Sequence, residues 1–166
     1  MFSGRRGKLA LTLGLLTVIV LAGLGMATSI SLSALEEPGQ AETYTATKMK
    51  RWLIGRAARE VSASPRFDDA ARAMGGMQFR ADCAVCHGSD GRTPTEIGRA
   101  MSPRAPDLGT PEVQAWSDAE LFRIIQHGIK FTGMPGFGRQ HDDERIWQLV
   151  AYVRQVRNPP QEQQAP

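Results

Sequence analysis

The stretch Cys83-Ala84-Val85-Cys86-His87 decides how this 166-residue chain folds around its chemistry, because it contains both of the cysteines in the sequence. Its C-x-x-C-H spacing is the signature of covalent attachment of a c-type haem. Two thiols on one turn can each bond a vinyl group of the same porphyrin, and the adjacent histidine then reaches the iron from one face. We therefore predict one haem c per chain, attached through Cys83 and Cys86, with His87 as the proximal iron ligand.

Two other uses of the cysteine pair are compatible with the motif alone. A thioredoxin-like dithiol would require a βαβ setting, whereas the residues on both sides have helical patterns. A structural zinc site needs about four ligands, and Cys83, Cys86, His127 and His141 supply that number. Because the two histidines have no motif spacing of their own, haem is the favoured interpretation.

A second axial ligand is expected in the loop Thr132-Gly133-Met134-Pro135-Gly136-Phe137-Gly138. Pro135 biases Met134 away from helical angles, and the glycines let the backbone bend round a flat cofactor. A thioether held in such a loop suits haem iron, so we predict Met134 as the distal ligand. The alternative is that Met134 packs in the core, as methionines usually do. The other candidates are expected to serve as follows: His127 as an exposed or capping residue, His141 as a solvated residue, and Met74, Met77 and Met101 as core or loop filler.

Capping signals and helical periodicity surround the motif. Asp68 can cap a first helix, Ser117 to Glu120 form a capping box, and Asp142 to Glu144 suit the positive start of a final helix. The intervening residues 88–110 and 130–140 are rich in turn-forming residues and are predicted to be loops. No segment has a convincing strand pattern. The sequence therefore predicts an all-α domain of three to five helices.

The first 35 residues predict a transmembrane helix. No charged residue lies between Leu9 and Leu35, and this run exceeds the ~20 residues that span a bilayer. Arg5, Arg6 and Lys8 precede the run, so the N-terminus should stay in the cytoplasm while the rest crosses. The competing interpretation is a cleaved signal peptide, for which Ser31-Leu32-Ser33 offers small residues at a cleavage site.

Residues 36–66 are predicted to connect the anchor to the folded domain. Glu36 to Thr47 has the composition of a linker, and Thr47 to Val61 has the pattern of a basic amphipathic helix. Such a helix can lie on lipid headgroups or dock on a partner, and it can equally pack on its own domain. The sequence leaves these alternatives open. The apolar residues that fall roughly on one face of this helix are Met49, Trp52, Leu53, Ala57 and Val61.

The charge pattern excludes one class of function. The chain has 20 basic and 17 acidic residues, and three of the basic ones precede the apolar run, so the remainder is balanced. A nucleic-acid-binding domain would carry a basic stripe on its folded surface. None is evident here, and no nucleic-acid partner is expected.

In combination, these features resemble the class I monohaem cytochrome c family over roughly Phe67 to Arg157. The resemblance rests, in order, on the first helix with Phe79, on CAVCHG, on the step Pro106-Asp107-Leu108, on HGIKFTGMPGFG and on ERIWQLVAYVRQV. It implies an all-α fold in which the first and last helices cross beside the haem. Gly75 or Gly76 would then lie at the crossing.

The resemblance carries further implications for individual residues. In this family the carbonyl group of a loop proline orients the proximal histidine, and Pro94 and Pro106 are both candidates for that part. Arg104 or Arg139 could contact a haem propionate. The aromatic residues expected to support the crossing are Phe79, Trp147 and Tyr152.

The predicted organisation is an anchor or signal peptide (1–35), a linker with a basic helix (36–66), a cytochrome c domain (67–158) and a flexible tail (159–166). The expected function is to transfer single electrons between respiratory or dehydrogenase partners, rather than to act as an enzyme. The haem domain is expected in the bacterial periplasm, on a single-pass anchor in the cytoplasmic membrane. The alternatives are a haem-bearing subunit of a larger oxidoreductase complex, or a haem enzyme or gas sensor with an open sixth position.

Overall fold

The computed structural model of the protein describes residues 3–27, 33, 35–36, 38–61 and 64–157. The chain divides into two compact units, one before Gly39 and one from Gly39 onward. The first unit contains one described helix, α1 (Ser3–Ala27). Its segment Gly7–Gly25 has a mean hydropathy of 2.0, and it is the one segment among the described residues that is long and apolar enough to cross a bilayer. The predicted cleavage site, at Ser31-Leu32-Ser33, lies largely outside the described residues, as does the predicted tail 159–166.

The second unit is built from helices, and the residues that the structure describes contain no strand. This confirms the predicted all-α fold. Three of the helices that follow residue 67 are long, and the other three are single turns of four or five residues. In chain order the helices are α2 (Gln40–Ala58), α3 (Asp69–Asp82), α4 (Ala84–His87), α5 (Glu96–Ala100), α6 (Pro111–Gln114), α7 (Asp118–His127) and α8 (Asp143–Val156).

The three long helices that follow residue 67 begin where their capping signals predicted. The Asp68 side chain accepts a hydrogen bond from the Ala71 amide at 2.7 Å, and Asp142 caps α8 in the same way. Ser117 forms the full capping box with Glu120 at the start of α7. These side chains satisfy amide groups that the first turn of a helix leaves unpaired, so local sequence alone sets the helix starts.

The first and last of these long helices, α3 and α8, cross at Gly75. A Cβ atom at Gly75 would collide with the backbone carbonyl oxygen of Gln148, whereas one at Gly76 would lie 3.1 Å from the Tyr152 ring. The two helix backbones therefore touch directly at Gly75. This confirms that a glycine lies at the crossing and identifies Gly75 as the residue of closest approach.

The hydrophobic core is centred on α8 and its neighbours. The most deeply buried large side chains are Phe79 of α3 and Ile146, Leu149 and Val150 of α8. Helix α7 contributes Leu121, Phe122, Ile124 and Ile125 to the same cluster. Because these positions recur every three or four residues, each helix presents one apolar stripe to the core.

Helix α2 is longer than predicted, because it begins at Gln40 rather than Thr47. No proline or glycine interrupts residues 40–54, and Glu42 lies in the first turn, where a negative charge is favourable. The linker prediction for residues 40–47 is therefore wrong. One face of α2 packs on α7: Ile54 contacts the core, and Arg123 Nε donates to the Ala57 carbonyl at 3.0 Å.

The predicted loop 88–110 contains a short helix, α5 (Glu96–Ala100). The Thr95 side chain caps it by accepting a hydrogen bond from the Gly98 amide at 3.2 Å. Thr95 also donates to the Val85 carbonyl at 2.6 Å. The loop is therefore folded back on the C-x-x-C-H segment, which is a tertiary contact that periodicity could not reveal.

Candidate haem-binding site

The C-x-x-C-H motif occupies the junction between α3 and α4. The Cys83 amide donates to the Phe79 carbonyl at 2.8 Å, and the Cys86 and His87 amides both donate to the Cys83 carbonyl at 3.1 and 3.0 Å. The motif thus forms one continuous turn. Both cysteines are half-buried and unpaired. Two partly accessible thiols on one turn are the arrangement that attachment to a single porphyrin requires.

The ring of His87 is oriented by the loop that follows it. His87 Nδ1 lies 3.2 Å from the Pro106 carbonyl oxygen, and a carbonyl can only accept, so Nδ1 carries the proton and Nε2 keeps its lone pair. Burial lowers the pKa of His87. The hydrogen bond to Pro106 raises the pKa, but by less than burial lowers it. The neutral ring, which is the form that binds a metal, is therefore favoured at neutral pH.

Of the two candidate prolines, the structure selects Pro106 as the partner of His87. The Pro94 carbonyl accepts a hydrogen bond from Arg99 instead. The Pro106 segment is held in place by its neighbours, because the Leu108 amide donates to the Gly91 carbonyl at 2.9 Å. The position of His87 therefore depends on how the loop 88–110 folds back.

The loop with Met134 is fastened to the C-terminal end of α7. Helix α7 ends at Gly128, which adopts a positive φ of 67°, a conformation that glycine reaches without steric strain. The Ile129 amide donates to the Met134 carbonyl at 3.2 Å, and the Phe137 amide donates to the Ile125 carbonyl at 3.0 Å. Met134 itself is half-buried and packs against the core, so its side chain is held rather than free in solvent.

Met101 lies directly against this loop. A Cβ atom at Gly133 would collide with Met101 Sδ, so the Met101 thioether packs on the residue that precedes Met134. The sequence predicts Met101 to be core or loop filler, and in the structure Met101 does pack against its neighbours. That it packs on this particular loop follows from the fold of residues 88–110, and no sequence signal indicated it.

The two remaining histidines have partners of their own. The prediction that His141 is solvated is wrong: its side chain is 11% exposed, and Nε2 lies 2.9 Å from Asp82 Oδ2. The ring also stacks on Phe137 at a centroid distance of 6.0 Å. His127 is exposed, as predicted, with Nε2 2.7 Å from Arg123 Nη1.

These contacts argue against the zinc and dithiol alternatives. Within the described residues, no group of three or more His, Cys, Asp or Glu side chains is placed to hold a metal ion. A redox dithiol needs a thiolate stabilised by its surroundings. Here burial, with Asp82 and Cys86 nearby, raises the pKa of Cys83 to about 12. The described residues therefore give no support to either alternative.

Aromatic side chains line the region between the motif and the helix crossing. The Phe79 ring lies 4.8 Å from the Tyr152 ring and 6.5 Å from the His87 ring, centroid to centroid. Trp147 packs on Phe122 at 4.5 Å. The predicted support of the crossing by Phe79 and Tyr152 is confirmed, whereas Trp147 joins α8 to α7. Arg104 and Arg139 are exposed, so their contact with a propionate stays a prediction.

Comparison with known proteins identifies the family. The family model described as cytochrome c oxidase, cbb3-type, subunit III matches residues 70–153, which is half of the chain. The match includes the C-x-x-C-H motif, the Met134 loop and most of α8. The chain belongs to the cbb3-type subunit III family. The predicted class, a c-type cytochrome with a cytochrome c-like fold, is thereby confirmed.

Curated relatives of this chain include FixP proteins, which are named as subunits of cbb3-type cytochrome c oxidase. The FixP of Sinorhizobium medicae is 27% identical over 110 residues, covering 61% of this chain and 35% of the relative. The FixPc of Rhizobium leguminosarum bv. viciae is 27% identical over 123 residues, covering 69% and 40%. The chain thus spans about two fifths or less of the length of these FixP relatives.

A solved structure supports the fold. A chain of a reducing HAO-like protein complex from Kuenenia stuttgartiensis aligns with a TM-score of 0.53 at 21% identity, covering 58% of this chain and 48% of the other. At this level of identity the likeness concerns the cytochrome c-like arrangement of helices alone.

Proposed function

We propose that this protein is a membrane-anchored monohaem cytochrome c that transfers single electrons on the outer side of the bacterial cytoplasmic membrane. The observation that carries the proposal is the orientation of His87 by Pro106 directly after the C-x-x-C turn. Membership of the subunit III family supports it. A histidine with Nδ1 protonated and Nε2 free is prepared to be one axial ligand.

The residues present fit haem c. Cys83 and Cys86 would attach the porphyrin through thioethers, His87 would bind the iron on one face, and Met134 would bind it on the other. When bound, haem c would supply a metal centre that changes charge by one electron. A thioether ligand and an apolar surrounding favour the reduced state, so we expect a relatively high reduction potential.

A haem that only transfers electrons has to be closed to other ligands and shielded from water, and residues of this chain would do both. With Met134 in the sixth position no open site would remain for a substrate or a gas. Phe79, Tyr152 and the core residues of α8 would keep water away from the site. The proposal of electron transfer, rather than of a haem enzyme or gas sensor, therefore depends on Met134.

The anchor part of the proposal rests on α1. Gly7–Gly25 is apolar and long enough to span the bilayer, and basic residues precede it, which favours a cytoplasmic N-terminus. A haem domain that follows such a helix would lie in the periplasm. A signal peptide passes the same test of length and composition, and carbonate extraction of membranes followed by N-terminal sequencing distinguishes the two.

Removal of both thiols is expected to abolish covalent haem. We expect the double variant Cys83→Ser, Cys86→Ser to lose all haem-dependent peroxidase staining on a denaturing gel, whereas the unchanged chain keeps it. Met77→Ala, at an exposed position of α3, serves as the control and should retain full staining. Covalent haem in the double variant would overturn the assignment of the attachment residues.

A second candidate function is favoured by the family match: a haem-bearing subunit of a larger cbb3-type oxidase. The chemistry at His87 and Met134 is unchanged, but the partner would be permanent. We expect the tagged full chain, purified from membranes in mild detergent, to co-elute with other oxidase subunits in fixed proportion. Elution as a lone monohaem species would instead support a separate tethered carrier.

A further inference from the structure

One face of α2 carries three large apolar side chains that remain exposed. Thr45, Met49, Trp52 and Arg56 recur at spacings of four, three and four residues, which places them on one side of a helix, and Leu53 lies beside them. We call these five residues the outer face of α2. Met49, Trp52 and Leu53 are 53%, 55% and 52% exposed, respectively.

The opposite side of the helix is docked. Ala58 is buried, Ile54 packs on the core, and Gly55 approaches Glu120 of α7. Arg51 lies over the Trp116 ring, 4.4 Å from its centroid. Because α2 is held in this way, its outer face is presented by a fixed helix rather than by a loose one.

The composition of α2 is basic, and aromatic residues stand among its charges. It contains four basic residues and one acidic residue, and Arg59 follows at its C-terminal end. The Arg56 guanidinium lies 5.0 Å from the Trp52 ring centroid, and Lys48 Nζ lies 5.5 Å from that of Tyr44. Amphipathic aromatic rings beside basic groups are typical of helices that lie in the headgroup region of anionic bilayers.

The connection to α1 keeps α2 within reach of lipid. The twelve residues 28–39 separate the end of α1 from the start of α2. Even fully extended, twelve residues span about 40 Å. If α1 spans the membrane, the effective concentration of lipid around α2 is therefore high, and a weak surface interaction suffices.

We propose that the outer face of α2 lies on the anionic lipid surface of the membrane that α1 crosses. Trp52, Leu53 and Met49 would enter the headgroup region, with Lys48 and Arg56 on lipid phosphates. This inference rests on the proposed membrane anchor. Because α2 packs on α7, and the end of α7 holds the Met134 loop, lipid contact would also restrict the rotation of the haem domain.

A nitroxide spin label on the full holoprotein tests the proposal. With Cys83 and Cys86 bonded to haem, Thr45→Cys provides one free thiol at the centre of the outer face. The matched control is Ala73→Cys, at an exposed position of α3. In nanodiscs containing one third phosphatidylglycerol, we expect a several-fold higher ratio of oxygen to nickel-chelate accessibility at position 45 than at position 73.

If the labels at positions 45 and 73 show the same oxygen to nickel-chelate ratio, and that ratio is the one of a label in water, the proposal is overturned while the anchor stays intact. Failure of the chain to enter nanodiscs would overturn the anchor, and the inference with it. A label at position 45 that is aqueous in nanodiscs but protected from both reagents in native membranes would instead show that a protein covers this face, which also overturns the proposal.

Charge removal separates lipid binding from simple exposure. We expect Lys48→Gln, Arg56→Gln and Arg59→Gln together to return the label at position 45 toward the aqueous ratio, because each charge contributes roughly a fivefold preference for an anionic surface. The control triple variant Arg66→Gln, Arg145→Gln and Arg157→Gln alters exposed positions elsewhere and should leave the ratio unchanged. Equal effects of the two triple variants would contradict the assignment to α2.

Discussion

Replacement of Met134 with alanine is expected to open the sixth coordination position and to lower the reduction potential. The thioether is a soft ligand that favours the reduced state, and its loss leaves water as the replacement. Axial ligands set haem potentials over a range of about 0.8 V, so we expect a decrease on the order of 0.1 V or more. Equilibrium redox titration of the purified holoprotein measures this change.

The same variant decides between electron transfer and an open-site function. The unchanged protein should bind carbon monoxide slowly and incompletely at neutral pH, whereas Met134→Ala should bind it rapidly and fully. The control is Met77→Ala, which removes an exposed methionine of α3 and should change neither property. Rapid binding by the unchanged protein would mean that Met134 is not a ligand, and would favour the sensor or enzyme alternative.

We expect Met101→Leu to have a smaller effect on the reduction potential and on carbon monoxide binding than Met134→Ala. Met101 packs on Gly133, and leucine preserves most of its apolar volume. We therefore regard it as a probe of how firmly the Met134 loop is held. A full loss of the Met-ligated spectrum in Met101→Leu, with Met134→Ala unchanged, would reassign the distal ligand to Met101.

Replacement of Gly75 with valine is expected to cost about 3 kcal/mol of unfolding free energy. A Cβ atom at this position meets the Gln148 carbonyl oxygen, which is backbone and cannot rotate away. Overpacking typically costs ~1–3 kcal/mol, and the upper end applies because two helices must separate. The loss should be visible in guanidinium unfolding of the holoprotein, followed by the circular dichroism of its helices.

The matched control for Gly75 is Ala73→Val on the same helix. Position 73 is exposed, so valine there changes helix propensity alone, by up to ~0.7 kcal/mol. Gly76→Val provides an intermediate case, because its neighbour is the Tyr152 ring, 3.1 Å away, which can shift. If Gly75→Val were no more destabilising than Ala73→Val, direct backbone contact at the crossing would be refuted.

Much of the haem domain could be predicted because its signals are local. Asp68, Ser117 and Asp142 cap helices through hydrogen bonds that reach only three residues along the chain. The C-x-x-C-H turn likewise places its two cysteines and its histidine within five residues. Such features need no knowledge of distant segments, so the sequence contains them in full.

Predictions from the sequence fail where distant segments meet. The polar composition of residues 40–47 predicts a linker, whereas these residues form the first turns of α2, which packs on α7 further along its length. His141 was predicted to be solvated, but Asp82, 59 positions earlier in the chain, covers it. The sequence does not predict helix α5, because five residues carry too little periodicity and the position of the helix depends on contacts with Val85 and Cys86.

The C-x-x-C-H stretch by itself predicted the class of cofactor, both attachment residues and one axial ligand, because five consecutive residues carry that chemistry. The tertiary structure decided between Pro106 and Pro94 as the partner of His87, and between Gly75 and Gly76 as the point of helix contact. It also showed which face of α2 is docked and which is left exposed. These outcomes depend on how loops and helices far apart in the chain pack together, and packing distances are not encoded in any single segment.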